Sequence, residues 1–206
     1  MSTSANRRQD SSAYTNPGDP PSKQRILQAA LRLFAERGLH AVTVRDVAEE
    51  AGYTNPALFK YFDSKQSLAI FLFEHCYLNL YEKLRAQVKT GSRFDDQLLA
   101  VVVAFLAELD RDGSSVLFVQ EHLRELWPHA SRKTRAHSIV GLIREILQHG
   151  VEEGAVGTDE NLSLLGVAVI GTLAQFARLF YFGEFKSPAA QYAAEIATML
   201  IRIATS

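Results

Sequence analysis

Apolar residues recur at intervals of three and four positions along most of the chain, which is the spacing that places them on one face of an α-helix. The segment after Pro21 is the first example, and Gly38 follows it as the residue type that most often ends a helix. Similar segments follow one another to the C-terminus, and none alternates with the period of two that is typical of a β-strand. The pattern therefore predicts an all-α protein.

Capping residues and glycines divide this pattern into separate helices. Asp46 stands three positions after Thr43, where a carboxylate favours free backbone N–H groups, and Gly52 separates a second helix from a third. Side chains able to cap a helix start are Ser22, Thr43, Thr54 and either Asp63 or Ser64. The fourth helix is predicted to run to about residue 89, and later helices are predicted at 93–111, 114–127, 131–153, 161–182 and 187–204.

Composition and charge place the chain among soluble globular proteins. Of its 206 residues, 47% are hydrophobic and 22% are charged, and the formal net charge of −1 excludes a basic coat protein for nucleic acid. Cys76 is the one cysteine, so no intrachain disulfide can form and a reducing, cytoplasmic location is expected. Residues 1–21 are polar and rich in Ser, Asn, Pro and Gly, which predicts a disordered arm and no signal peptide.

One uncharged segment, residues 161–177, is apolar enough to raise the question of a membrane helix. Its 17 residues fall just short of the usual spanning length, and Arg178 follows directly. Glycines and polar side chains also interrupt the segment. We therefore expect a buried interface helix and no membrane partner.

Two short helices joined through a glycine, with a third helix ahead of them, form the pattern of a helix-turn-helix. Ala48 is small where the helices must cross, and Gly52 can take the left-handed conformation that the turn requires. Pro56 is tolerated at the second position of its helix, because the N–H there has no intrahelical acceptor. The residues expected to anchor the inner side of that helix are Leu58, Phe59 and Phe62. A structural helical hairpin has the same pattern, so an assignment to DNA binding depends on the outward side chains.

The outward side chains of these helices suit double-stranded DNA. Side chains that can meet base edges stand at Thr54, Asn55, Ala57 and Lys60. Groups placed to hold phosphates are Thr43, Arg45, Tyr61 and Lys65. Tyr53 and Pro56 complete the predicted DNA-binding surface.

The segment 22–75 that carries these residues resembles the N-terminal DNA-binding domain of the tetracycline-repressor (TetR) family of bacterial regulators. The shared marks are the apolar run that ends at Gly38, Thr-Val-Arg-Asp-Val-Ala at 43–48, Ala51 with Gly52, and Phe-x-Ser-Lys-x-x-Leu at 62–68. The resemblance implies a homodimer whose paired recognition helices enter successive major grooves of a pseudo-palindromic operator. It also implies a helical domain that binds an effector and dimerises. The expected divisions are an arm (1–21), a helix-turn-helix domain (22–66) and an effector-binding and dimerisation domain (67–206).

Three positions depart from the family's pattern. Val42 stands where a second hydroxyl residue often precedes the second helix, so Thr43 is left alone as the cap. Tyr53 stands where a small aliphatic residue is usual. Phe59 replaces a tyrosine that commonly follows the leucine of the recognition helix, and without a hydroxyl it is expected to pack rather than to bind a phosphate.

The two C-terminal helices interleave small residues with larger apolar ones, which permits close approach of helices over a large apolar face. An intrachain core has the same composition. The resemblance to TetR proteins favours instead a four-helix interface between two copies of the chain. The residues predicted for this interface are Leu165, Val169, Leu173, Phe176, Ala193, Ile196, Ala197 and Leu200.

The middle helices are rich in aromatic residues, and such a set forms a core more often than a pocket. In a domain that responds to ligands, part of the set would line an apolar cavity for a small-molecule effector of unknown identity. For each polar candidate, a solvated face or an interhelical pair is an equally good interpretation. The residues predicted to contact the effector, aromatic and polar together, are Phe105, Phe118, Glu121, His122, Trp127, Gln175 and Arg178. The six histidines show no repeated short spacing of the kind that binds metals, and no cofactor is expected.

The leading interpretation is a dimeric DNA-binding transcriptional regulator, with a ligand-responsive repressor as the expected type. The sequence contains no glycine-rich phosphate loop, no nucleophile motif and no paired histidines at helical spacing, so an enzyme is not predicted. The alternative is a helical small-molecule-binding or interaction module without DNA binding. A membrane-associated helical protein is a third possibility.

Overall fold

The structure is a computed structural model that describes residues 15–16, 18–158 and 161–206. Within these ranges every regular element is helical, which confirms the predicted all-α fold. Most of the predicted N-terminal arm, namely residues 1–14 and 17, lies outside the described residues.

The chain begins with three helices that form the helix-turn-helix unit and continues into a larger helical body. The first three are α1 (Pro21–Arg37), α2 (Val44–Ala51) and α3 (Asn55–Phe59). The others are α4 (Lys65–Arg85), α5 (Phe94–Leu126), α6 (Arg132–Arg135), α7 (Ile139–Glu152), α8 (Leu162–Tyr181) and α9 (Ala193–Ala204). Short 3-10 helices at Trp127–His129 and Ala189–Tyr192 precede α6 and α9.

Local capping explains where the first helices begin. The Thr43 hydroxyl accepts a hydrogen bond from the Asp46 N–H at 3.1 Å, and the Asp46 carboxylate accepts one from the Thr43 N–H at 2.7 Å. Ser64 caps α4 in a reciprocal pair of the same kind. The prediction for α1 was wrong by one residue: the helix starts at Pro21, whose fixed φ suits a first helical position, and Ser22 does not cap it.

The two helices predicted at 93–111 and 114–127 correspond to the two halves of α5, which a break separates. Gly113 does not end a helix; the break falls at Asp112, whose φ of −147° and ψ of 67° are not helical. The Asp112 carboxylate accepts hydrogen bonds from the N–H of Ser115 at 3.2 Å and from its hydroxyl at 2.5 Å. Because this is the bonding of an N-cap, the second half of α5 begins from a cap of its own.

Capping also divides the segment predicted as one helix at 131–153. Ser131 caps α6 and Ser138 caps α7, since each hydroxyl accepts from the backbone N–H three residues further on. The helix predicted at 187–204 becomes α-helical only at Ala193, and α4 ends at Arg85, short of the predicted residue 89. The helix predicted at 161–182 is confirmed as α8, which Asn161 caps.

Two apolar clusters hold the helices together. The N-terminal cluster joins α1, α2, α3 and the first half of α4 to the part of α5 that follows Val116. The body cluster joins the end of α4 and the part of α5 up to Val116 to α7, α8 and α9. Both α4 and α5 therefore run through the two clusters and connect the helix-turn-helix unit to the body.

Candidate DNA-binding surface

The turn between α2 and α3 is fixed by its backbone. Gly52 has a φ of 75° and a ψ of 29°, in the left-handed region that glycine adopts most easily. The Tyr53 N–H donates to the Ala48 carbonyl at 2.8 Å across this turn. Leu58 is fully buried and Phe62 is 6% exposed, so one side of α3 is held against the N-terminal cluster. The opposite side of α3 faces solvent.

Five of the predicted DNA-binding residues lie on or beside that outward side. Thr54, Pro56 and Lys60 are exposed, whereas Asn55 and Ala57 are half-buried. Thr54 is the N-cap residue of α3 but its side chain makes no capping hydrogen bond, so the hydroxyl points to no partner in its own helix. The surface thus offers a hydroxyl, an amide, a cation and a small apolar side chain within one short helix, a set that suits the base edges of a major groove.

The residues predicted to hold phosphates differ in what they already bind. The Arg45 guanidinium donates to Glu49 at 2.7 Å, but both side chains are mostly exposed, so the ion pair is weak and a phosphate can replace the carboxylate. The Tyr61 hydroxyl shares a hydrogen bond of 2.7 Å with the Ser22 hydroxyl at the start of α1. Thr43 is occupied by its capping bonds. Contact of these residues with DNA stays a prediction.

Lys65 has a structural role that the sequence pattern does not show. Its ammonium donates to the carbonyl oxygens of Leu39 at 2.9 Å and Val42 at 2.8 Å. Both carbonyls belong to the loop between α1 and α2, so Lys65 ties the start of α4 to that loop. A phosphate contact of Lys65, which stays a prediction, would use the donor that remains on this tethered ammonium.

The two unusual aromatic residues of this region have different environments. Tyr53 is half-buried and packs against the N-terminal cluster. Phe59 does not pack as predicted, because its side chain is 49% exposed. The reason is geometric: Leu58 takes the inward position of α3, and the next residue lies about 100° further round a helix. Phe62 and not Phe59 fills the space next to Leu58.

The structure does not bring the seven predicted effector residues together. Phe105 belongs to the body cluster, whereas Phe118 stacks on Phe34 of α1 within the N-terminal cluster, with ring centroids 5.9 Å apart. Trp127 packs against Phe73 and Tyr77 on the same side as Phe118. These aromatic residues are therefore parts of two cores, not of one cavity wall.

The polar effector candidates are also dispersed. Glu121 is exposed, and Gln175 and Arg178 are exposed on α8, where the guanidinium donates to the amide oxygen at 3.2 Å. His122 is 8% exposed, and its ring centroid lies 5.0 Å from that of Phe118. Burial lowers the pKa of His122. An open hollow of about 290 Å³ between the end of α4 and α7 is lined by none of the seven residues.

A buried charge network lies where α4 crosses α5, and sequence reasoning missed it. The Glu108 carboxylate is 4% exposed and accepts hydrogen bonds from Lys83 at 2.5 Å, from Arg111 at 2.6 and 2.9 Å, and from Asn79 at 3.1 Å. Burial alone would raise the pKa of Glu108, but the bonds from Arg111 and Lys83 outweigh it and hold that pKa below its usual value. Asn79 and Lys83 are four residues apart and therefore lie on one face of α4. This spacing is the feature of the sequence that could have indicated a polar contact there.

A second polar group lies beside this network at the break in α5. Asp112 is 2% exposed, and burial raises the pKa of its carboxyl. Ser115, which donates to Asp112, also lies 3.6 Å from the Cys76 sulfur. Burial raises the pKa of the Cys76 thiol to about 12. Cys76 is therefore an inert core residue, as its position on an apolar pattern predicts.

The residues predicted for the dimer interface lie inside one chain, so that prediction was wrong at the residue level. All eight are 8% exposed or less and pack in the body cluster. The small and branched residues of α8 and α9 are used for packing within the monomer, which was the alternative interpretation of the same pattern. The set comprises Leu165, Val169, Leu173, Phe176, Ala193, Ile196, Ala197 and Leu200.

The outward side of α8 and α9 exposes several large apolar side chains beside polar ones such as Gln175 and Arg202. Leu164 and Val167 are each 66% exposed on α8, and Met199 and Ile203 are 45% and 43% exposed on α9. This face explains why α8 is also long and apolar enough to cross a membrane by length and composition. Packing within the chain buries one side of α8 and leaves apolar side chains exposed on the other. Exposed apolar side chains grouped in this way are typical of an interaction surface.

The helix-turn-helix, its outward polar face and the all-helical body together define a DNA-binding regulator. A family model described as bacterial regulatory proteins, tetR family, matches residues 26–70. The chain is 31% identical over 151 residues to the HTH-type transcriptional repressor KstR2 of Rhodococcus jostii, an alignment that covers 71% of this chain and 74% of that protein. It is 23% identical over 155 residues to the fatty acid metabolism regulator protein of Bacillus subtilis, covering 74% and 80%.

Solved structures show the same fold. The ketosteroid transcriptional regulator KstR2 of Mycobacterium tuberculosis matches with a TM-score of 0.77 at 22% identity, covering 95% of this chain and 99% of that one. The regulator FadR of Bacillus subtilis in complex with stearoyl-CoA matches with a TM-score of 0.71 at 19% identity, covering 87% and 97%.

The chain belongs to the TetR family of transcriptional regulators. It is accordingly a DNA-binding transcriptional regulator, and the similarity supports this function over a helical module without DNA binding.

Proposed function

We propose that the chain is a homodimeric, cytoplasmic repressor that occupies a pseudo-palindromic operator and leaves it when a long-chain acyl thioester of coenzyme A binds to its body. The observation that carries the DNA-binding part is the exposed polar side of α3, which is anchored from behind by the buried Leu58. In this proposal residues 22–66 contact DNA and residues 67–206 dimerise and bind the effector.

The exposed apolar face of α8 and α9 is the proposed dimer interface. Leu164, Val167 and Gly171 follow one another at intervals of three and four, so they form one stripe on α8. Gly171 is exposed, and a Cβ built there would meet no atom within 4 Å. Packing within the chain therefore does not require a glycine at this position, whereas close approach of a second α8 would use it.

The effector class is inferred from the relatives and from the body cluster. Relatives are named for fatty acid metabolism and ketosteroid regulation, and one solved structure contains stearoyl-CoA. An acyl chain needs apolar surroundings, which α5, α7, α8 and α9 supply in the body cluster. The effector must bind one conformer better than another to shift the population between a DNA-binding and a released form.

Coupling between the two sites would pass through α4 and α5, because both helices contribute to both clusters. A ligand that separates helices in the body cluster would displace the end of α4 or the first part of α5. The other ends of these helices support α1 and the helix-turn-helix unit. The spacing of the two recognition helices in a dimer would change as a result.

The test measures operator binding in the presence of stearoyl-CoA, free coenzyme A and stearate. Stearoyl-CoA is expected to release the protein from its operator and to raise its melting temperature, because a ligand at about 100 times its Kd stabilises the folded state by about 2.7 kcal/mol. Free coenzyme A is the matched control for the nucleotide part of the ligand.

Two results would overturn parts of the proposal separately. Release by coenzyme A alone, or no effect of any acyl thioester on melting or operator binding, would contradict the effector class. Failure of the protein to bind any duplex specifically would contradict the regulator function itself.

A further inference from the structure

Phe59 is the large apolar side chain that the recognition helix presents to solvent. It is 49% exposed, while its neighbour Leu58 is fully buried. Pro56 and Lys60 are also exposed. The helical intervals of three and four place Phe59 against Pro56 and on the face that continues from Asn55.

The chemistry of the Phe59 side chain excludes hydrogen bonds to DNA. A phenyl ring has no hydrogen-bond donor or acceptor, so Phe59 cannot bind a phosphate oxygen or the amino and carbonyl groups of base edges. In the major groove, an apolar side chain recognises the 5-methyl group of thymine by contact. Asn55, one helical turn before Phe59, carries the amide that pairs with the N6 and N7 atoms of adenine.

We propose that Phe59 is a specificity-determining residue that reads the 5-methyl group of one thymine in each operator half-site. Replacing that methyl group with hydrogen leaves the ring with an uncovered apolar surface and no other partner in the groove. The inference rests on the proposed binding of α3 in the major groove. It goes further by naming thymine as a base that this helix recognises.

The test uses a duplex that the full-length protein selects from a random pool, in which each symmetric pair of thymidines is replaced in turn by deoxyuridine. This change removes the methyl group and keeps every hydrogen-bonding group of the base. Replacement of one particular pair is expected to weaken binding about fourfold for each half-site, the effect of one methylene-sized apolar group. For both half-sites of the dimer the loss is about fifteenfold.

Two variants show whether Phe59 causes this loss. Phe59→Ala is expected to bind the thymidine duplex as weakly as the wild type binds the deoxyuridine duplex, and to distinguish the two less than twofold. Lys60→Ala is the matched control: it weakens binding to both duplexes and keeps the full preference for thymidine. The melting temperature of each variant verifies that the exposed substitutions leave the fold intact.

Two results would overturn the inference. One is a wild type that is indifferent to every thymidine replacement although it binds the selected duplex specifically. The other is a Phe59→Ala variant that keeps the wild-type preference. Absence of any selected duplex would contradict DNA binding as a whole and would be distinguishable from both.

Discussion

Thr43 and Thr54 are both N-cap residues of short helices, but they use their side chains differently. The Thr43 hydroxyl accepts from the Asp46 N–H at 3.1 Å and is part of a complete capping box. The Thr54 side chain makes no capping hydrogen bond and is exposed next to the recognition helix. The same residue type therefore serves stability at one position and is left for an external partner at the other.

This difference predicts opposite effects for two matched substitutions. Thr43→Ala is expected to lower the free energy of unfolding by about 1 kcal/mol, the usual effect of losing a cap. Thr54→Ala is expected to change it by less than about 0.5 kcal/mol, as surface substitutions do, and to weaken operator binding. Urea unfolding and operator titration of both variants measure the two effects.

The assignment of roles would be contradicted by the reverse pattern. A stable Thr43→Ala variant would mean that the capping box does not contribute to α2. Unchanged operator affinity in Thr54→Ala would remove this hydroxyl from the DNA-binding surface.

At the scale of helices, the break in α5 and the charge network beside it mark the boundary between the two apolar clusters. Asp112 caps the second half of α5. One turn earlier, Glu108 forms ion pairs with Lys83 of α4 and with Arg111 of its own helix. The network therefore fixes how α4 lies against α5 at the point where both helices pass from one cluster into the other.

Glu108→Gln is expected to destabilise the protein by about 1.5–3 kcal/mol at neutral pH, because hydrogen bonds between charged groups are replaced by weaker ones. The pKa of Glu108 lies below its ordinary value, so its contribution is present above the ordinary glutamate pKa of about 4.3 and is lost as the pH falls from there through the folded-state pKa. The difference in free energy of unfolding between wild type and Glu108→Gln should therefore decrease as the pH falls over this range. Urea unfolding at several pH values measures it.

Glu121→Gln is the matched control, since Glu121 is exposed on the same helix. Asp112 contributes to the pH dependence with the opposite sign, because a raised pKa adds stability as the pH falls, and the Glu108 charge is one cause of that raised pKa. A gap that stays constant between neutral and acidic pH would contradict the role assigned to the Glu108 carboxylate.

The elements that could be predicted from sequence are those whose causes are local. The Thr43 cap, the Gly52 turn and the tolerated Pro56 depend on neighbours in the chain, and the structure has all three. The cause of the break in α5 is also local, since Asp112 accepts from the Ser115 N–H, but the prediction assigned the break to the neighbouring Gly113. The Glu108 network and the inward direction of Phe176 depend on helices distant in sequence, and a pattern of apolar residues does not show which face meets which partner.

At the scale of the whole molecule, the exposed face of α8 and α9 is expected to join two chains. Val167→Arg places a charge in the middle of this face and is expected to convert the dimer into monomers, because an unpaired charge is costly to bury. Light scattering at micromolar concentration measures the mass. Operator affinity should fall with it, since a single recognition helix contacts only one half-site.

Leu123→Arg is the matched control, because Leu123 is 42% exposed on the second half of α5, the half that packs in the N-terminal cluster, whereas α8 packs in the body cluster. This variant is expected to stay dimeric. A wild type that is monomeric at micromolar concentration, or a Val167→Arg variant that is still dimeric, would contradict the proposed interface.

The central claim is that the outward side of α3 binds operator DNA specifically, and one titration tests it most directly. Wild type and an Asn55→Ala variant are titrated against the DNA upstream of the protein's own gene at several salt concentrations, with unrelated duplex as competitor. The wild type should prefer the upstream duplex by at least about 10³-fold, and Asn55→Ala should bind it about 1–3 kcal/mol more weakly. Equal affinity of the wild type for both duplexes at every salt concentration, or an unaffected Asn55→Ala variant, would contradict the account.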